Sequence, residues 1–265
     1  MRHLLLAAVA PRRLTRLGEL GSAYCEWIVA SSWAEAVASI RRHPVEMAVV
    51  DPLLGGRSGA QEIARLRAMF PSLPLLIYTD LTPPMASALL QLGRAGVTRA
   101  LFSGIDDGLG TLQAEIGLEL HRSASRQVID ALGGVINNLP ANIRLALHGM
   151  LNQPGAAPTV AELSRRARVI RRTCERCFTR RGLPPPKTVI LLARLLYAHR
   201  LLLDPGNTVD DVAAKLGYGK TRTLQAHLRW VFGMTAGEAR AALTIEQAAA
   251  AVTDRFFPKP TRAAS

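Results

Sequence analysis

Cysteine is scarce in this chain of 265 residues, which holds only Cys25, Cys174 and Cys177. An odd and sparse set argues against a disulfide framework and fits a reducing compartment. Cys174 and Cys177 stand as Cys-x-x-Cys, but a single pair in a strongly helical stretch lacks the second ligand pair that a zinc site demands. Both read as small apolar helix residues, and neither a metal nor a cofactor is expected. Long hydrophobic runs are missing as well. The apolar run near the start extends from Leu4 to Ala10, where Pro11-Arg12-Arg13 stops it. It is too short to cross a bilayer, and it has neither the longer core nor the small-residue cleavage site of a signal peptide. The expectation is a cytoplasmic protein with no membrane partner.

Acidic residues are also in short supply, with 20 Asp and Glu against 33 Lys and Arg, a formal net charge of +13. The shortage is local. Residues 1–125 hold 12 basic and 11 acidic residues, whereas residues 126–265 hold 21 and 9. A near-neutral half joined to a basic half suits a sensing or docking domain fused to a polyanion-binding domain, because neutralising phosphates releases counterions and drives association. A hydrophobic content of 49% over this length accommodates two globular domains, each with its own core.

In the first half, short β-type apolar runs alternate with helical patterns. His3 to Ala10, Glu26 to Ala30, Glu46 to Val50, Leu75 to Thr79 and Thr98 to Phe102 read as five strands. Strict alternation of strand and helix predicts a parallel sheet covered on both faces. Trp33, Val37 and Ile40 share one face of the second helix, and Ile63, Leu66 and Phe70 one face of the third. Met85, Leu89 and Leu92 give the fourth a one-sided stripe, a core face first and an interface second. Ser32 and Glu35 have capping-box spacing. Asp51 ends the third strand at the carboxyl edge of the sheet, where ligands of such folds bind.

With Gly59 opening the third helix, Thr79 ending the fourth strand and Ala95-Gly96 before the fifth, this layout resembles the receiver domain of two-component response regulators. The resemblance implies a flavodoxin-like α/β fold over residues 1–124. It also makes Asp51, Thr79 and Ser103 a degenerate phosphoacceptor site. In receivers the aspartate takes a phosphoryl group, the hydroxyl then binds it, and Mg²⁺ neutralises the charge. Here the acidic pair after the first strand is replaced by Ala8 to Pro11 followed by Arg12 and Arg13, and the usual lysine after the fifth strand is Ser103, with Gly104 for the proline. Phosphoryl transfer to a carboxylate depends on positioned cations, and these losses remove two of three metal ligands. Arg12 or Arg13 instead reaches Asp51 in a standing ion pair, or Asp51 only solvates a strand end or caps a turn; phosphorylation of Asp51 is the alternative.

A helical pattern from Arg126 to Leu139 forms a linker, placed at 125–139, and stops at Pro140. A helix from Pro140 to Leu151 and a turn-rich loop from Asn152 to Pro158 follow. Thr159 and Glu162 cap a short helix to Arg166, Ala167-Arg168-Val169 form a turn, and a second helix runs from Ile170 to about Thr179. The plan repeats 49 residues on, with Thr208 and Asp211, a helix to Leu216, a turn at Gly217-Tyr218-Gly219, and a helix from Lys220 to about Trp230. Between the two lies one long apolar helix from Thr188 to Leu203, with Leu191, Leu195, Ala198 and Leu202 facing a core.

The second unit carries Gly217-Tyr218, Leu224, Leu228, and Phe232-Gly233-Met234-Thr235-Ala236 with Glu238 and Arg240. On these residues the segment resembles the all-α double helix-turn-helix domain of the AraC/XylS family of bacterial transcription regulators, placed at 140–253 with a loose tail at 254–265. The first unit supplies Leu163, Val169, Cys174, Arg176, Phe178 and Gly182, with Ile170 where a capping serine is usual; Ala236 replaces a proline and Ala226 an arginine. The resemblance implies that Arg172, Glu175 and Arg176, and in the second unit Thr221, Arg222 and Gln225, face bases in the major groove. Arg suits guanine, Gln adenine and Glu the cytosine amino group, or an intrahelical pair with Arg171 or Arg172. Arg165, Arg166, Arg171, Arg180 and Lys220 are assigned to phosphates. The expected protein is a sequence-specific regulator, not an enzyme. Its expected partners are double-stranded DNA, RNA polymerase and a second copy of the chain through the receiver-like domain. A nonspecific architectural DNA binder is the reading from another class.

Overall fold

A computed structural model describes residues 3–20, 25–56, 59–94, 97, 99–106, 108–120, 123–151 and 158–257. Ala95-Gly96, Thr98, residues 152–157 of the loop expected at Asn152 to Pro158, and the tail from Pro258 onward lie outside these. The chain divides into two compact units, residues 1–126 with 204–211, and residues 127–203 with 212–265.

The first unit is a parallel sheet of five strands in the order β2-β1-β3-β4-β5: β1 (His3–Ala8), β2 (Cys25–Val29), β3 (Met47–Val50), β4 (Leu75–Thr79) and β5 (Ala100–Phe102). Helices α1 (Pro11–Gly18), α2 (Trp33–Arg42), α3 (Ala60–Met69), α4 (Pro83–Arg94) and α5 (Leu109–Leu120) connect or follow them. Side chains alternate between faces along each strand. Leu6, Ala8, Ala48, Val50 and Ile77 pack with Ile40, Ile63, Leu66, Phe70 and Leu92. Leu5, Ala7, Val49, Leu76 and Tyr78 pack on the opposite face with Leu17, Leu112 and Ile116. Strands covered on both faces read as continuous apolar runs, which is why they were legible in the sequence. Met85 and Leu92 of α4 are fully buried, so that stripe faces the core. The Ser32 and Glu35 box is one-sided: Ser32 accepts from the Glu35 amide at 3.2 Å, but the Glu35 carboxylate reaches back to the Ser31 amide and hydroxyl at 2.8 and 2.7 Å.

Residues 204–211 belong to this unit, where Asp204 is buried and accepts from the Ser72 amide at 3.0 Å and from the Ser72 hydroxyl. Gly206 donates to the Met69 carbonyl at 2.7 Å, and a Cβ at Gly206 would come within 2.6 Å of the Phe70 ring.

The second unit is helical throughout its described residues: α6 (Ala124–Ala131, its first residues in the first unit), α7 (Gly133–Ile136), α8 (Ala141–Leu151), α9 (Val160–Arg166), α10 (Arg171–Thr179), α11 (Pro186–Leu202), α12 (Val209–Lys215, from Val212 on), α13 (Thr221–Phe232), α14 (Ala236–Ala242) and α15 (Ile245–Phe256). At the centre is α11, with 12 of its 17 residues buried. It is apolar nearly all round, as a helix packed on every side must be, and it meets α8, α10, α13, α14 and α15. α15 includes Asp254 to Phe256, a segment the sequence reading assigned to a loose tail. Its N-terminus carries a capping box of Thr244 and Gln247, and its C-terminal end is fastened by Arg255 donating to the Val231 carbonyl at 2.9 Å.

His199 of α11 is fully buried; its Nε2 donates to the Leu243 carbonyl at 3.1 Å and its Nδ1 has no hydrogen-bond partner among the described residues. Burial pushes its pKa below the usual 6.5. The unfolded chain therefore binds a proton that the folded chain refuses, so stability is lost as pH falls below about 6.5. We expect the thermal midpoint to drop between about pH 7.5 and about pH 5.5. His199→Gln keeps a donor for Leu243 without titrating and is expected to flatten that profile; an equally steep profile in the variant would contradict this assignment.

Candidate nucleic-acid interface

Two helix-turn-helix units are built on the same plan, α9 with α10 and α12 with α13. Each opens on a threonine cap. Thr159 accepts from the Glu162 amide at 3.1 Å, while the Glu162 carboxylate is drawn away to Arg165 and to Arg166 Nε at 2.5 Å. These partners, Arg166 foremost, hold the Glu162 carboxyl below the usual carboxylate range. Thr208 and Asp211 form the complete reciprocal pair, at 2.8 and 3.1 Å. Each turn contains one left-handed residue, Arg168 at φ 54° and Gly217 at φ 67°.

The last carbonyl before each turn is taken by a side chain from the preceding long helix. Asn142 of α8 donates to the Ala167 carbonyl at 2.9 Å, and Arg194 of α11 donates to the Leu216 carbonyl. Arg194 also lies over the Tyr218 ring, 4.8 Å from its centroid. These contacts fix the angle at which each second helix leaves its turn. Neither Asn142 nor Arg194 was singled out from the sequence, because a polar partner on a different helix leaves no local pattern.

Each second helix is anchored by its apolar face: Cys174 and Phe178 of α10, and Leu224 and Leu228 of α13, are all at 0% exposure. Burial raises the Cys174 thiol pKa, which fits a packing residue and not a reactive one. On the other side, Arg172, Arg176, Arg222 and Gln225 are exposed and have no side-chain partner among the described residues. Thr221 is half-buried. Glu175 receives a hydrogen bond from Arg171 Nε at 2.8 Å, the intrahelical pair. Of the residues assigned to phosphates, Arg165, Arg166 and Arg171 are tied to Glu162 or Glu175, while Arg180 and Lys220 are exposed and unpartnered among the described residues.

At the carboxyl edge of the sheet, Asp51, Thr79 and Arg13 are almost completely buried, at 2%, 0% and 2% exposure. Arg13 NH1 donates to Asp51 Oδ2, and Arg13 NH2 lies 2.9 Å from Asp80 Oδ2, which also pairs with Arg12. Asp51 Oδ1 accepts from the Thr79 hydroxyl at 2.8 Å and from the Leu53 amide at 3.0 Å. Ser103 donates its amide to the Thr79 carbonyl at 2.8 Å, extending the β4–β5 ladder. Of the two arginines expected from the sequence to pair with Asp51, Arg13 does so and Arg12 turns to Asp80. Asp80 was overlooked, although an acid directly after the β4 run stands at the same sheet edge as two successive arginines. These residues do not fit a magnesium ion, because a guanidinium already occupies the cation's place beside Asp51 and both nearby carboxylates are engaged.

Paired units with anchored helices and bare basic faces define a DNA-binding protein. Residues 163–242 match the family described as a helix-turn-helix domain, so the second unit carries a helix-turn-helix domain of the AraC type beside a receiver-like fold in the first, the make-up of a DNA-binding transcription regulator. No curated protein matches the chain. Similar solved structures include a response regulator receiver domain protein (CheY-like) from Methanospirillum hungatei JF-1, 16% identical, covering 45% of this chain and 94% of that chain at TM-score 0.39. Full-length FixJ from B. japonicum is 14% identical, covering 91% of this chain and 98% of that one at TM-score 0.40. The receiver-like assignment itself rests on strand order and the Asp51 edge. No helix among the described residues is long and apolar enough to cross a membrane.

Removing one member of a buried ion pair strands the other charge. Arg13→Met is expected to destabilise the first unit by about 3–5 kcal/mol in urea unfolding, and Arg13→Met with Asp51→Asn to recover most of that loss. Equal losses in the single and double variants would mean that Arg13 acts through packing alone.

Proposed function

We propose that the chain is a sequence-specific regulator whose second unit reads bases through α10 and α13, while its first unit docks or senses without phosphorylation. The observation that carries the first part is the division of each reading helix into a fully buried anchor face and an exposed face of Arg172, Arg176, Arg222 and Gln225, which have no side-chain partner among the described residues. Side chains of these types at the N-terminal half of a helix reach base edges in the major groove, Arg to guanine and Gln to adenine. Thr221 lines the same helix start, and Glu175 acts by holding Arg171. Arg180 and Lys220, bare and cationic, meet phosphates, joined by Arg165, Arg166 and Arg171 as their acidic partners yield to the duplex.

The engaged oxygens of Asp51 support the second part. A carboxylate whose two oxygens accept from Arg13, Thr79 and Leu53 is already engaged on both oxygens, with a guanidinium beside it. Large exposed side chains at Leu90 of α4, Ile105, and Leu118 of α5 support docking, to a second copy or to RNA polymerase. The role belongs in the bacterial cytoplasm, where DNA and polymerase are, and it requires no catalysis.

Selection of bound fragments from random DNA tests the base-reading proposal, with one recovered motif expected. Arg222→Ala is expected to relax preference at one base position by about 1–3 kcal/mol, whereas Lys220→Ala weakens binding to all sequences alike. No recovered motif, with the same affinity for every duplex, would point to an architectural binder. Incubation with a small phosphodonor and Mg²⁺ is expected to leave the intact mass unchanged; an adduct of about 80 Da lost in Asp51→Asn would establish phosphorylation instead.

A further inference from the structure

The first helix-turn-helix turn is built against local preference. Its left-handed position, φ 54°, is held by Arg168, an exposed arginine, while the matching position of the second unit is Gly217 at φ 67°. Only glycine adopts this conformation without a steric penalty from Cβ, and arginine gains nothing there that glycine lacks within the fold. The turn closes by backbone bonds from the Arg168 amide to the Arg165 carbonyl at 3.1 Å and from the Val169 amide to the Ser164 carbonyl at 3.0 Å, with Asn142 on the Ala167 carbonyl, and the Arg168 side chain takes no part. The Arg168 side chain has no hydrogen-bond or ion-pair partner among the described residues, unlike Arg165, Arg166 and Arg171 around it. A strained, bare cation at a functional element points from the outlier to a use outside the chain.

We propose that Arg168 is a phosphate anchor of the first helix-turn-helix unit, gripping the DNA backbone at the rim of the groove that α10 enters. The inference rests on the DNA-binding reading above. Its basis is position: the turn joins the helix that crosses the backbone to the N-terminal end of the reading helix, where the nearest negative charges of a bound duplex are phosphates. Arg168 lies outside α10, whose base-facing positions start at Arg172, so its contact fixes register and leaves base preference to the helix. The second unit has an unstrained Gly217 at this position and carries a bare cation three residues on, at Lys220.

The test separates strain from contact. Arg168→Gly relaxes the turn, so the variant is expected to unfold at the same or a higher temperature than the unmodified chain. Its affinity for the selected site and for random duplex is expected to fall by a common factor of about ten, and the slope of log affinity against log salt to shrink by about one unit. Arg168→Lys keeps the charge and is expected to retain most of the affinity and the slope. Unchanged affinity and salt slope in Arg168→Gly would overturn the proposal while leaving the DNA-binding reading intact. A loss confined to one base position would overturn it too, by making Arg168 a base reader. Failure of the unmodified chain to bind any duplex would remove the DNA-binding reading and this inference together.

Discussion

A helix that enters a DNA groove must be held firmly by one face and left empty on the other. In α10 the demand is severe, because nine residues are too few to form a stable helix unaided. Cys174 and Phe178, both fully buried, supply the anchorage. α13 meets the same demand with Leu224, Leu228 and Val231, and ends at Gly233 in the left-handed conformation that lets the chain turn sharply into α14. Both helices lean on α11, whose apolar girth gives the unit one shared core. Two of the polar groups that interrupt this girth have structural duties: His199 ties down the Leu243 carbonyl and Arg194 the Leu216 carbonyl.

In the first unit the comparable constraint is charge. The N-terminal turn of α1 contains Arg12 and Arg13 and no acid, an arrangement that the helix dipole disfavours. Asp51 and Asp80, delivered by the ends of β3 and β4, supply the missing negative charge. A buried pair of this kind is weak evidence for stability, since desolvation offsets much of the attraction, but it strongly favours the single arrangement in which both charges are satisfied. Thr79 is drawn into that arrangement, its hydroxyl committed to Asp51. The sheet edge is therefore complete in itself, with its own cation in place.

How much of this was legible in the sequence varies by the range of the interaction. The inner strands were readable because strands covered on both faces are apolar nearly throughout, and the parallel sheet because strand and helix alternate; β2, with Glu26 exposed, shows the weaker pattern of an edge strand. The anchor residues of α10 and α13 were readable through the resemblance to the AraC/XylS family, and a contact of Arg12 or Arg13 with Asp51 from chain position, since these residues must emerge at the carboxyl edge. Caps were half readable: a threonine three residues before an acid predicts the first bond, but Glu162 had closer cations at Arg165 and Arg166 to choose. α15 went unread although Thr244 and Gln247 announce its start, because its alanine-rich run offers little contrast between faces. Asp80 was hidden by its ordinariness, a lone acid after a strand. Asn142 and Arg194 were invisible, since their partners are carbonyls on other helices.

The same long-range contacts explain why the two units are similar but not equivalent. The caps Thr159 and Thr208, the held carbonyls of Ala167 and Leu216, and the left-handed Arg168 and Gly217 are each 49 residues apart. Past the turn the spacing is 50: the helices begin after Ile170 and Lys220, and the buried pairs are Cys174 with Leu224 and Phe178 with Leu228. The extra residue is Gly219, which lengthens the second turn. Arg172 then corresponds to Arg222, but Glu175 to Gln225, Arg176 to Ala226 and Arg171 to Thr221, so three of these four positions differ in chemistry. Copies of one helix suit repeated or palindromic half-sites, in which each half presents the same bases. Under the base reading proposed above, helices this unlike, carried in one chain, suit an operator whose two parts differ in sequence.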